Sequence, residues 1–141
     1  MLKFENYQVI KLLIDNNGLD EKVESNELGI HYKIIPNKSE NFDKMNIIQG
    51  IKIFPSLENQ YTIEAIICGN FSINRDDPDF TEDVLTVNCG AILYPYLRSS
   101  ISLLSSQIDQ KIILPTINFY KFIEDISKED LFGEPTEYKD F

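Results

Sequence analysis

The chain has 141 residues, with 23 acidic against 13 basic side chains and a formal net charge of −10. Apolar residues make up 43% and aromatics 11%, which supplies one hydrophobic core and excludes a disordered or low-complexity chain. The acidic balance repels phosphates, so nucleic acids and anionic membrane surfaces are not expected partners.

The N-terminal run MLKFENYQVIKLLIDNNG places acids and amides where a secretory signal needs an unbroken apolar stretch, so no signal peptide is expected. Residues 7–15 (YQVIKLLID) carry mixed helix and strand cues and are read as a strand. Residues 29–36 (GIHYKIIP) alternate, with Ile30, Tyr32 and Ile34 facing one way and His31 and Lys33 the other. Residues 46–54 (NIIQGIKIF) are isoleucine-rich and stop at Pro55. Residues 60–73 (QYTIEAIICGNFSI) form the longest strand candidate: Tyr61, Ile63, Ala65 and Ile67 share one face, Thr62, Glu64, Ile66 and Cys68 the other. Turn-forming residues separate these runs, which predicts four strands in an antiparallel sheet.

After a charged stretch at 74–79 (NRDDPD) the pattern becomes helical. Thr81, followed by Glu82 and Asp83, suits a helix start. Gly90 and Pro95 interrupt the pattern, which predicts a short helix, a break or kink, and a main helix over 94–108. In it Leu93, Leu97, Ile101, Leu104 and Ile108 repeat every three or four residues as one apolar stripe, while Ser99, Ser102 and Ser106 lie on another face. An extended segment over 111–119 and a short helix over 120–128 follow, and 129–141 reads as an acidic, mobile tail. The domain is therefore expected over residues 1–128. No run approaches the roughly 18 apolar residues of a membrane span, so no membrane insertion is expected.

Catalytic chemistry is scarce. There is no glycine-rich phosphate loop and no GxSxG elbow. The single histidine, His31, sits in a strand, and Cys89 has no base assigned beside it. Asp76, Asp77, Asp79, Glu82 and Asp83 lack the spacing and glycine of a calcium loop and read as a solvated acidic segment. Cys68 and Cys89 form no metal-ligand pattern and suit a reducing cytosol. The expectation is a cytoplasmic protein that is not an enzyme and carries no cofactor or metal.

The segment 91–119 (AILYPYLRSSISLLSSQIDQKIILPTINF) carries more specific information. Cys89, Ile92, Leu93, Tyr94, Pro95, Tyr96, Leu97 and Arg98, then Ile101 and Leu104, and later Leu114, Pro115, Asn118 and Phe119 resemble the SecB export-chaperone family. Pro95, Tyr96, Arg98, Asn118 and Phe119 form the signature, and Glu64 with Phe71, Ser72 and Ile73 also agree. Leu97 stands where the family has a small alanine, and Thr62 where it has an apolar residue.

The resemblance implies an α+β fold: a four-stranded antiparallel sheet with a kinked main helix and a short C-terminal helix on one face. It also implies a homodimer or homotetramer that holds unfolded or precursor polypeptides in an apolar groove without ATP. Leu97, Ile101, Leu104, Ile113, Phe122 and Ile126 are the expected client-binding residues, and Glu64 the acid that docks the translocase ATPase SecA. The alternative is a protein with the same fold dedicated to one partner, such as an antitoxin or a phage- or defence-related protein.

Overall fold

A computed structural model describes residues 2–16, 30–38, 43–55, 60–73 and 82–108. Among these residues the strands are β1 (Leu2–Asn16), β2 (Ile30–Lys38), β3 (Lys44–Ile53) and β4 (Tyr61–Ile73), followed by one helix, α1 (Glu82–Ser105). They form a single antiparallel sheet in the order β1-β4-β3-β2. Strands β2, β3 and β4 are sequential neighbours, and β1 pairs with the last of them, so among the described residues β1 and β2 are the two edges. The expected four-stranded antiparallel sheet of an α+β fold is present. The expected extended segment 111–119, helix 120–128 and tail 129–141 lie outside the described residues.

β1 extends beyond the 7–15 run at both ends and carries two irregularities, between Phe4 and Asn6 and between Val9 and Lys11. Each inserts one extra residue against β4. By register Leu2, Phe4, Tyr7, Val9, Leu12 and Ile14 therefore stand opposite the helix-facing residues of β4. Spacings of two interleaved with three lie between the strand and helix periods, which is the origin of the mixed cues. β2 contains Pro36, which lacks a backbone N–H and is tolerated at a sheet edge.

α1 crosses β4, β3 and β1 on one face. Its inner side brings Leu85, Leu93, Leu97 and Ile101 against Ile34, Ile47, Ile51, Ile63, Ile67 and Phe71, all nearly fully buried. The stripe read from the sequence is this face, with Leu104 and Ile108 packed at its margin. A smaller cluster, Ile35, Ile48 and Ile66 with half-buried Cys68, occupies the opposite face of the sheet.

The predicted break is not found. α1 runs unbroken through Gly90 and Pro95, and the separate main helix expected over 94–108 is the second half of this one element, ending at Ser105. Pro95 is exposed, and so is Ala91, four residues earlier, whose carbonyl loses its helical donor. The lost bond thus falls on the solvent side, where an unpaired carbonyl costs least. Gly90 is buried, and its carbonyl accepts a hydrogen bond from the Gln49 side-chain amide at 3.2 Å; the same amide donates to the Tyr32 hydroxyl. This polar tie fixes the helix over β3 and β2. Beyond Ser105 the chain tightens: the Gln107 and Ile108 N–H groups donate to the carbonyls of Leu104 and Ser105, three residues back.

At Gly69 helix and sheet come close together. A Cβ there would lie 2.9 Å from Leu93 Cδ1 and 3.0 Å from Phe71 Cε2, both on buried side chains with little room to retreat. Gly69→Ala should lower stability by about 1–3 kcal/mol, seen as an earlier urea midpoint.

Candidate polypeptide-binding surface

The signature residues of α1 divide between its two sides. Pro95 and Tyr96 face outward, Leu97 is fully buried, and Arg98 is half-buried. Tyr96 stacks on Phe4 with ring centroids 5.7 Å apart and meets Tyr7 at 4.5 Å. Phe4 in turn contacts Phe71 at 5.3 Å. Such aromatic pairs add about 0.5–1.5 kcal/mol beyond area burial. Tyr96 is thus the clasp that holds edge strand β1 to the helix, a role invisible in the motif alone.

From this clasp an apolar strip continues on both elements. Along β1, Tyr7, Val9 and Leu12 share the helix-side face by register, yet each is exposed, Val9 to 49%. On α1, Ile92 lies one turn before Tyr96, and Leu103 is 60% exposed. Ala91, Pro95, Ser99, Ser102 and Ser106 are also outward, and all are small or compact. The serine face read from the sequence is therefore the outer face of the helix. Among the described residues seven of the nine large exposed apolar side chains are on β1 and α1, the others being Ile30 and Phe54; such a concentration on a strongly acidic chain marks a binding or assembly surface. β1 adds a second property: among the described residues no strand lies beside its outer edge, and no proline interrupts it.

The residues expected to hold clients fall into three groups. Leu97 and Ile101 are 0% exposed and belong to the core between helix and sheet, so as placed they offer a client no surface. Leu104 is half-buried beside that core. Ile113, Phe122 and Ile126, and the signature pair Asn118 and Phe119, lie outside the described residues. Tyr7, Val9 and Leu12 were missed as surface residues because the two bulges hide their common face.

Glu64, the expected docking acid, is on the sheet face opposite α1 and 2% exposed. Lys11 Nζ lies 3.0 Å from its carboxylate and Lys52 Nζ 4.0 Å away. Its charge is enclosed by two cations of the same chain. His31 is exposed on β2. Cys89 is buried at the helix–sheet contact, and burial pushes its thiol up to about 12. Burial raises the half-buried Cys68 thiol as well. Burial also raises the Tyr32 hydroxyl far above its ordinary range, although the Gln49 hydrogen bond opposes this.

These shifts have a signed consequence. A thiol whose folded pKa exceeds the ordinary 9.0 contributes stability that is intact below pH 9 and lost as pH rises toward 12. Stability should therefore fall across that alkaline window, while at neutral pH Cys89 stays unreactive toward a thiol reagent until urea unfolds the chain. A fast-reacting Cys89 in the native state would contradict its placement.

Among the described residues no group of His, Cys, Asp and Glu side chains is arranged to hold a metal ion, and no helix is long and apolar enough to cross a membrane.

Comparison with known proteins meets this geometry from outside. Among solved structures, a SecB-like chaperone of Mycobacterium tuberculosis, in complex with a ChAD peptide from the HigA1 antitoxin, superposes with a TM-score of 0.60. The identity is 12%, over 83% of this chain and 88% of that one. A Streptococcus agalactiae protein of unknown function is similar with a TM-score of 0.49 and 13% identity, over 82% of this chain and 97% of that one. No curated protein matches. The family described as preprotein translocase subunit SecB matches residues 25–129, which takes in β2, β3, β4 and α1 and runs past them into the Asn118–Phe119 half of the signature. With the four-stranded sheet, the long helix and the Pro95–Tyr96–Arg98 segment in place, the chain belongs to the SecB family.

Proposed function

We propose that this protein is an ATP-independent holdase that binds unfolded polypeptides on the apolar strip formed by β1 and the outer face of α1. The observation that carries the reading is the exposure of Tyr7, Val9, Leu12, Ile92 and Leu103 around the Tyr96 clasp in a chain of net charge −10. An unfolded client exposes apolar side chains, and covering them is worth about 25 cal/mol per Å². That attraction has no direction, so one strip accepts many sequences. The surplus of acids keeps the loaded complex soluble.

Leu104, Ile113, Phe122 and Ile126 are proposed to extend this surface, while Leu97 and Ile101 form the floor beneath it. The open edge of β1 is proposed as the contact through which copies assemble as a homodimer or homotetramer. The protein is proposed to act in the cytoplasm, without catalysis or cofactor. Docking of SecA through Glu64 would require the carboxylate to leave Lys11 and Lys52, so Glu64→Gln should leave any SecA affinity within about twofold of the parent.

The test is suppression of light scattering from a refolding aggregation-prone protein. Full suppression near equimolar ratio is expected, without nucleotide. No suppression at any ratio would overturn the holdase reading. A second reading draws on the Mycobacterium tuberculosis relative, which was solved with an antitoxin peptide: the strip would serve one dedicated partner. Capture from the native host separates the two, as many unfolded clients or one stoichiometric protein.

A further inference from the structure

The face of the sheet turned away from α1 carries a feature that the apolar strip leaves unused. Asn6 pairs with Asn70, Asn70 with Asn46, and Asn46 with Asn37, so one asparagine from every strand lies in a single row across the sheet. Directly opposed residues of antiparallel strands share a face. Here that face is the one away from the helix, since Phe71, Ile47 and Tyr32 turn into the core. The row lines a cleft of about 650 Å³ whose wall also includes Ser72, Lys44 and Glu5. Asn70 Nδ2 donates to Asn6 Oδ1 at 2.7 Å, and Ser72 Oγ donates to Glu5 Oε1 at 2.8 Å. Lys3 Nζ stands 3.8 Å from the same Glu5 oxygen.

We propose that this asparagine row is a second polypeptide site, one that binds the backbone amides of an extended segment and not its side chains. The proposal rests on the polypeptide-binding reading above. A carboxamide has the same donor and acceptor pair as a peptide group. Four of them at the inter-strand spacing of about 4.8 Å span about 14 Å, the length of four to five extended residues. Each amide can turn to offer N–H or C=O, as an alternating backbone requires. One lysine and one glutamate leave the lining with no net charge, which suits a neutral backbone better than an ionic ligand. Among the described residues the cleft offers no exposed aromatic ring on which a sugar could stack, since Phe71, which also lines it, is buried. β1 contributes to both sites, with Asn6 on one face and Tyr7 on the other.

The experiment follows the side-chain amide signals of Asn6, Asn37, Asn46 and Asn70 by NMR in the full chain. The probe is a glycine–serine peptide of about eight residues, long enough to cover the row. The control is the same length of N-methylglycine, which lacks N–H donors. Shifts in the row with the first and none with the second are expected. The double variant Asn46→Leu with Asn70→Leu should weaken the glycine–serine peptide about tenfold while keeping full suppression of aggregation. No shift in any of the four amides, an equal response to the N-methylated peptide, or a response to maltohexaose in place of the peptide would overturn the assignment. Should the variant fail to fold, the titration of the parent chain decides. Loss of aggregation suppression in the parent would sink the holdase reading separately, because that assay reads the opposite face.

Discussion

Leu97→Ala should destabilise the folded chain by about 2–5 kcal/mol, the usual cost of removing a buried leucine and leaving a partly collapsed cavity. Leu97 is fully buried in the cluster that includes Leu93, Ile101 and Phe71. Leu103→Ala, six residues on at 60% exposure, should change stability by no more than about 0.5 kcal/mol. Urea unfolding of the two variants measures both. The contrast matters because the resemblance places Leu97 among client-binding residues, whereas the fold makes it the floor of the domain. A Leu97→Ala protein with parental stability and lost chaperone activity would reverse that assignment. The same placement explains how a leucine replaces the family's small alanine: the added bulk points into the chain's own core and leaves the outer helix face, with Ser99, Ser102 and Ser106, narrow.

Placing aspartate at both Val9 and Leu12 should abolish suppression of aggregation while leaving the melting temperature close to the parent. Both side chains are exposed on the helix-side face of β1, so two charges there stay hydrated and cost the fold little. A client, however, would have to strip water from two carboxylates, which costs far more than the apolar contact returns. The charges also burden the open edge of β1, as charged side chains do on natural edge strands. If copies assemble through that edge, the particle mass by light scattering should fall in the same variant. Unchanged suppression with a folded double variant would remove β1 from the binding surface.

Much of this architecture was legible in the sequence because alternation survives in β2 and β4, and the isoleucine-rich run of β3 stops at Pro55. Ile63, Ala65 and Ile67 were assigned to one face, and they are core; Glu64, Ile66 and Cys68 were assigned to the other, and they are there. β1 was blurred because its bulges shift the period twice. Pro95 and Gly90 suggested a break because their local penalties are real, but both are met by context: Pro95 spends its lost bond on the solvent side, and Gly90 gains one from Gln49. Strand order was not legible, since no local pattern says that β1 returns to pair with β4. Nor was the asparagine row, whose successive members are separated by 9 to 31 positions and meet only through register. Glu64 was found by its position in a motif, but its enclosure by Lys11 and Lys52 needed the strands on either side.

The central claim is that an unfolded polypeptide, and not a folded one, occupies the strip around Tyr96. Its most direct measurement is binding of one protein in two states: oxidised and folded, or reduced, alkylated and permanently unfolded. Fluorescence anisotropy should show saturable binding of the unfolded state without nucleotide. The folded state should bind at least about a hundredfold more weakly, a difference near 2.7 kcal/mol. Equal affinity for both states, or no binding of the unfolded one, would contradict the account.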